Sequence, residues 1–113
     1  MRSVKIDHLV HAYNAHNADD FAACFTVDAQ VHEFPERVVQ NGREQIRAHY
    51  KQLFEQYPLN KSDVLHRADL GDRIVDHERV HRSPSARPFD VIAVYTFKGD
   101  LVARLDFIRE HRE

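Results

Sequence analysis

The sequence predicts an α+β protein: three N-terminal helices packed on a curved, mostly antiparallel sheet, in one domain over residues 1–113. Three observations lead there. Apolar residues recur at helical spacing up to Tyr57 and at alternating spacing beyond it. All three glycines fall at segment boundaries. Helices first and a run of strands last is the element order of an α+β fold rather than of alternating βαβ units.

Each element has its own signal. Ile6, Leu9, Val10 and Tyr13 share one face of a first helix. Asn17 is an N-cap for a second, short helix carrying Phe21, Cys24 and Phe25. A strand over 29–34 ends at His32-Glu33-Phe34-Pro35. A third helix spans 43–57, with Ile46, Tyr50, Leu53, Phe54 and Tyr57 on one stripe, and Pro58 stops it. Strands follow over 60–70, 73–82, 88–97 and 101–109. Gly71-Asp72 and Gly99-Asp100 mark tight turns between them, and 83–86 is a longer loop.

Composition bounds the function. At 42% apolar and 30% charged residues the chain is ordinary for a globular protein. A net charge of -2 with dispersed basic residues gives no footprint for nucleic acid. No apolar run approaches the roughly 20 residues of a membrane span, and the N-terminus lacks a signal-peptide core. Cys24 is the only cysteine, which points to a cytoplasmic protein and to a small buried apolar side chain rather than a nucleophile. Nine histidines raise the question of a metal, and their spacing answers against one. On a strand, His77 and His81 stand roughly 13 Å apart, and no Cys or carboxylate pattern completes a site at His8 and His11. Ser83-Pro84-Ser85-Ala86 is a plain turn without a phosphate-binding pattern, so no cofactor is expected.

Strand 88–97 is apolar on both faces: Phe89, Val91, Ala93, Tyr95 and Phe97 point one way, Ile92 and Val94 the other. A sheet with one wet face alternates more cleanly. The outer face is therefore expected to pack on a second copy of the chain, as a homodimer.

The order of elements resembles the nuclear-transport-factor-2-like superfamily, the cystatin-type cone fold that includes SnoaL-like polyketide cyclases and ketosteroid isomerases. The residues that carry the resemblance are Tyr13-Asn14-Ala15-His16-Asn17 through Phe25, Asp28-Ala29-Gln30-Val31, Asn41-Gly42-Arg43-Glu44-Gln45-Ile46, and the hairpin at Lys98-Gly99-Asp100-Leu101-Val102. The resemblance implies a deep, mostly apolar pocket between the helices and the concave side of the sheet. It places the isomerase base on Glu33 and a network tyrosine on Tyr50. The oxyanion-hole positions fall on Leu9, one turn before Tyr13, and on Ala93, so neither donor is present in its place. The functions gathered on this fold are many, so the fold alone does not choose among them.

Glu33 is then a candidate general base for proton transfer next to a carbonyl, or a structural acid. Arg104 and Asp106 share a face of their strand and are candidates to hold a polar group of a ligand, or to pair with each other. The same mapping turns Val102, Arg104, Asp106 and Ile108 toward the pocket and Leu101, Ala103, Leu105 and Phe107 toward the partner copy. A four-residue loop at 83–86 turns Ile74, Asp76, Glu78 and Val80 inward, and one residue more or less turns in Val75, His77, Arg79 and His81 instead. Tyr13 and Tyr50 are candidate hydrogen-bond donors, or core aromatics. His49 either borders the pocket or is a solvated helix position. Glu33, Glu78 and Asp106 against Arg104 make an acidic excess, so a small apolar or neutral organic ligand is expected.

Overall fold

The structure is a computed structural model and describes residues 1–110. The chain runs α1 (Arg2–Asn14), α2 (Ala18–Ala23), β1 (Phe25–Glu33), β2 (Arg37–Asn41), α3 (Arg43–Gln56), β3 (Lys61–Asp69), β4 (Arg73–His81), β5 (Phe89–Lys98) and β6 (Leu101–Arg109). The strands form one sheet in the order β2-β1-β6-β5-β4-β3. Among the described residues only the β1–β6 pair is parallel. No helix among the described residues is long and apolar enough to cross a membrane.

Local chemistry sets the boundaries. Asn17 caps α2 by accepting the Asp20 backbone N–H at 3.0 Å, and Asp19 and Asp20 lie in the first turn, where the helix dipole favours acids. The sequence predicts Phe25 in this helix and a strand that begins at 29. Instead Cys24 is the helix C-cap, and Phe25 already pairs with Val102. The strand β2, unforeseen in the sequence, returns along β1. Gly42 then turns the chain into α3 at φ 97°, a conformation that side-chain-bearing residues rarely adopt, and its N–H bonds to Ala29 O at 2.7 Å.

The three helices cover the concave side of the sheet. Ile6, Leu9, Phe21, Ile46, Tyr50 and Phe54 from the helices meet Phe25, Ile74, Ala93, Tyr95, Val102 and Leu105 from the strands. Ile74, Asp76, Glu78 and Val80 of β4 all face inward and are buried, the orientation that the four-residue loop implies.

On β6 the faces differ from the expectation. Phe97 pairs with Val102, but Thr96 pairs with Arg104, so β6 carries one extra residue at this point. Such a bulge resets the alternation of side chains. Val102 is buried on the concave side, and beyond the bulge it is Leu105, Phe107 and Arg109 that face inward. Arg104 and Asp106 are therefore turned to the convex face, where they pair with each other at 2.9 Å.

Candidate active site

A cavity of about 60 Å³ lies between the helices and the concave face. On this measure one water needs roughly 10–15 Å³, so there is room for a few waters or a small organic group. Leu9, Val10, Phe21, Leu53, Val80, Phe89, Val91, Leu105 and Phe107 make most of its wall apolar. The polar groups that reach it are Tyr13, His49, Tyr50, Ser62, Glu78, Arg82, Tyr95 and Arg109.

Glu78 is the centre of this polar set. It is 6% exposed and sits on β4 between two neighbouring strands. The Tyr95 hydroxyl on β5 donates to its Oε2 at 3.0 Å, and the Ser62 hydroxyl on β3 donates to its Oε1 at 3.2 Å. Burial raises its pKa to about 7, and the charge of Asp76 adds to the rise. The two hydroxyls and Arg67 act the other way. Asp76, two residues earlier and fully buried, has its own counter-ion: Arg67 clamps both of its oxygens at 2.7 and 2.9 Å.

The helices supply the opposite wall. Tyr50 on α3 packs its ring 4.4 Å from that of Phe21, and burial raises the pKa of its hydroxyl. Among the described residues nothing hydrogen-bonds that hydroxyl. His49, one residue earlier, lines the cavity and is also exposed to solvent. Burial lowers its pKa, as do the nearby Arg82 and Arg109 cations, which favours the neutral ring. On α1, the Tyr13 oxygen accepts hydrogen bonds from Asn60 Nδ2 at 2.8 Å and Arg82 Nη1 at 3.1 Å. Its own proton remains to be donated.

The residues singled out from sequence separate into two groups. Tyr13, Tyr50 and Glu78 come together around the cavity. Arg104 and Asp106 lie on the other side of the sheet, for the reason given above. Glu33 has the register of Phe107 and so shares the concave side, but it is not among the residues lining the cavity. Both of its oxygens accept from Arg109 Nε, at 2.9 and 3.0 Å, and it is Arg109 that reaches the cavity. The acidic excess counted from sequence is thus not in the cavity: one carboxyl, Glu78, faces two guanidiniums, Arg82 and Arg109.

Ser62, Tyr95, Arg82 and Arg109 were not singled out. Tyr95 belongs to the inward row of β5 that the alternation gives, so its place was legible although its bond to Glu78 was not. Arg109 was hidden by the bulge, whereas Arg82 ends the strand expected over 73–82 and continues the inward row of Ile74, Asp76, Glu78 and Val80, so its place was legible although its partners were not. Among the described residues no group of three His, Cys, Asp or Glu could hold a metal ion. His77 is bound to Asp90 at 2.8 Å and His81 to Asp63 at 3.2 Å.

The family profile of the SnoaL-like domain matches residues 6–105 of this sequence. The chain belongs to the SnoaL-like family. An uncharacterised cystatin-fold protein from Novosphingobium aromaticivorans is similar to this SnoaL-like chain at 32% identity and TM-score 0.90, over 96% of this chain and 97% of that one. A protein provisionally named a polyketide cyclase, from Sinorhizobium meliloti, is 20% identical with TM-score 0.77, over 91% of this chain and 92% of that one. A protein of ketosteroid-isomerase-like fold from Catenulispora acidiphila, solved in complex with trimethylamine, is 15% identical with TM-score 0.75, over 91% of this chain and 82% of that one. The last two likenesses show the SnoaL-like fold and no more. No curated protein matches the chain.

Proposed function

We propose that this SnoaL-like protein is a small-molecule enzyme of the isomerase, cyclase or lyase type, acting by proton transfer with Glu78 as the general base. The observation that carries this reading is a buried carboxyl on a cavity wall, held by two hydroxyls, with its pKa raised to about 7. A base poised near neutrality is ionised often enough to take a proton and basic enough to hold it. Glu33, the base suggested by the resemblance, is bound to Arg109 and is assigned the lesser task of fixing that guanidinium at the cavity rim.

The substrate is a small organic molecule with a largely apolar body and a carbonyl. Glu78 removes a proton from the carbon beside that carbonyl, and the enolate oxygen takes hydrogen bonds from Tyr50, Tyr13 or neutral His49 on the opposite wall. The same Glu78, now protonated, returns the proton elsewhere on the molecule. Donors aimed at a developing oxyanion are worth roughly 3–4 kcal/mol each, and the helices offer such donors although Leu9 and Ala93 occupy the family's usual positions. The test needs no known substrate. Small enolisable ketones and β-keto compounds are incubated in deuterium oxide, and loss of the α-proton signal is followed by NMR. Wild-type protein is expected to exchange them, and Glu78→Gln to slow exchange at least about 100-fold. Equal exchange by both proteins would remove Glu78 from the mechanism.

A second reading, a ligand-binding domain without turnover, is favoured by the small size of the cavity, about 60 Å³. It requires that no carbonyl compound exchange above the buffer rate. In either case the convex face is assigned to a second copy of the chain. Ile92 and Val94 are only partly covered there, and Ile108 is 36% exposed.

A further inference from the structure

We infer that Arg82 is the docking point for a carboxylate, so that the molecule taken into the cavity is a small organic acid with an apolar body. The inference rests on the cavity being the substrate site and goes further by naming the substrate class. Two guanidiniums line the cavity, and they differ in one respect. Arg109 is held by the carboxylate of Glu33. Among the described residues Arg82 has only neutral acceptors: its Nη1 donates to Asn60 Oδ1 at 2.7 Å and to the Tyr13 hydroxyl at 3.1 Å.

Arg82 is nevertheless built into place. Its guanidinium lies 5.2 Å from the ring centre of Phe89 and 5.7 Å from that of Tyr57. Asn60, which fixes it, is 1% exposed and also donates to Tyr13. With Nη1 occupied, Nε–H and Nη2–H are left without a partner among the described residues. Those two parallel donors are the edge that grips a carboxylate with two bonds.

The charge balance points the same way. A partly buried cation without a counter-ion is costly, and a ligand that brings the missing charge binds more tightly for it. The positive potential is also felt by His49, whose proton affinity Arg82 and Arg109 depress. Glu78 lies four residues before Arg82, roughly 13 Å along an extended strand. A short acid anchored at Arg82 therefore extends its apolar carbons toward the base.

The test compares butanoate, hexanoate and cyclohexanecarboxylate with their primary amides, by amide-shift titration of the full chain at millimolar concentration. Each acid is expected to bind wild-type protein at least about ten-fold more tightly than its amide, with shifts at Tyr13, His49 and Arg82. Arg82→Gln is expected to abolish the preference, and Arg82→Lys, which keeps the charge without the fork, to recover part of it. Glu78→Gln is expected to keep the preference, which separates this inference from the assignment of the base. Equal binding of acid and amide, binding of neither, shifts confined to residues outside the cavity, or a preference intact in Arg82→Gln would each overturn it. Should Arg82→Gln not fold, the wild-type comparison and Arg82→Lys still decide.

Discussion

The hydroxyl of Tyr95 donates to the carboxyl of Glu78 at 3.0 Å, from β5 to β4, inside the cone. Both side chains are buried, Tyr95 at 2% and Glu78 at 6% exposure. Burial pushes the Glu78 pKa from 4.5 to about 7, and without the Tyr95 bond it would lie higher still. The folded protein thus holds a proton that the unfolded chain releases. Between pH 4.5 and 7 the native state binds more protons than the unfolded state, so its stability falls as pH rises through that window. The loss is about 3 kcal/mol. Glu78→Gln has no such proton to lose. Its stability relative to wild type, from urea unfolding, is expected to rise by about that amount between pH 4.5 and pH 7, and to stay level above pH 7.

Tyr95→Phe removes the donor and keeps the ring. The Glu78 pKa is then expected to move up, and the acid limb of any pH–rate profile to move with it. Ser62→Ala is expected to act in the same direction with a smaller shift, since Ser62 is the weaker of the two hydroxyl influences. A profile that stays in place in both variants would mean that a different group sets it.

Arg67 and Asp76 form a pair of another kind. Asp76 is fully buried, and its charge is met by Arg67 at both oxygens. Arg67→Met leaves that carboxylate without its cation, a loss of about 3–5 kcal/mol in unfolding experiments. The same variant is expected to raise the Glu78 pKa, because Arg67 helps to hold it down.

The Glu33–Arg109 pair is half exposed, at 25% and 46%. Glu33→Gln is expected to change stability by no more than about 1 kcal/mol and proton exchange by less than ten-fold. Arg104→Ala, on the convex face, is expected to leave binding in the cavity unchanged. A 100-fold loss of exchange in Glu33→Gln would return the base to the place the family resemblance suggested.

Sedimentation at micromolar concentration is expected to find a dimer, and Val94→Glu on the convex face to yield monomer. A monomeric wild type contradicts the pairing across that face.

Much of this was legible in the sequence, for identifiable reasons. The apolar stripes of α1 and α3, the Asn17 cap and the glycines at 42, 71 and 99 are local signals, and they locate the helices and turns. The alternation of β4, tied to the length of the following loop, puts Glu78 inside. What failed depended on contacts distant in sequence. The extra residue on β6 opposite Thr96 and Phe97 inverts the faces of Arg104, Asp106 and Arg109, and nothing in the alternation of that strand marks it. Tyr95 and Ser62 meet Glu78 only because β3, β4 and β5 are adjacent in register. The charge of the cavity was misjudged for the same reason: two acids and one cation assigned to it are elsewhere, and two guanidiniums take their place.

The most direct measurement is the titration of the Glu78 side-chain carboxyl carbon by ¹³C NMR in the full chain. A midpoint of about 7 is expected, moving up in Tyr95→Phe. A midpoint near 4.5, unmoved by that substitution, would contradict the central claim: the carboxyl would then be an ordinary acid, and the cavity would hold no base poised for neutral pH.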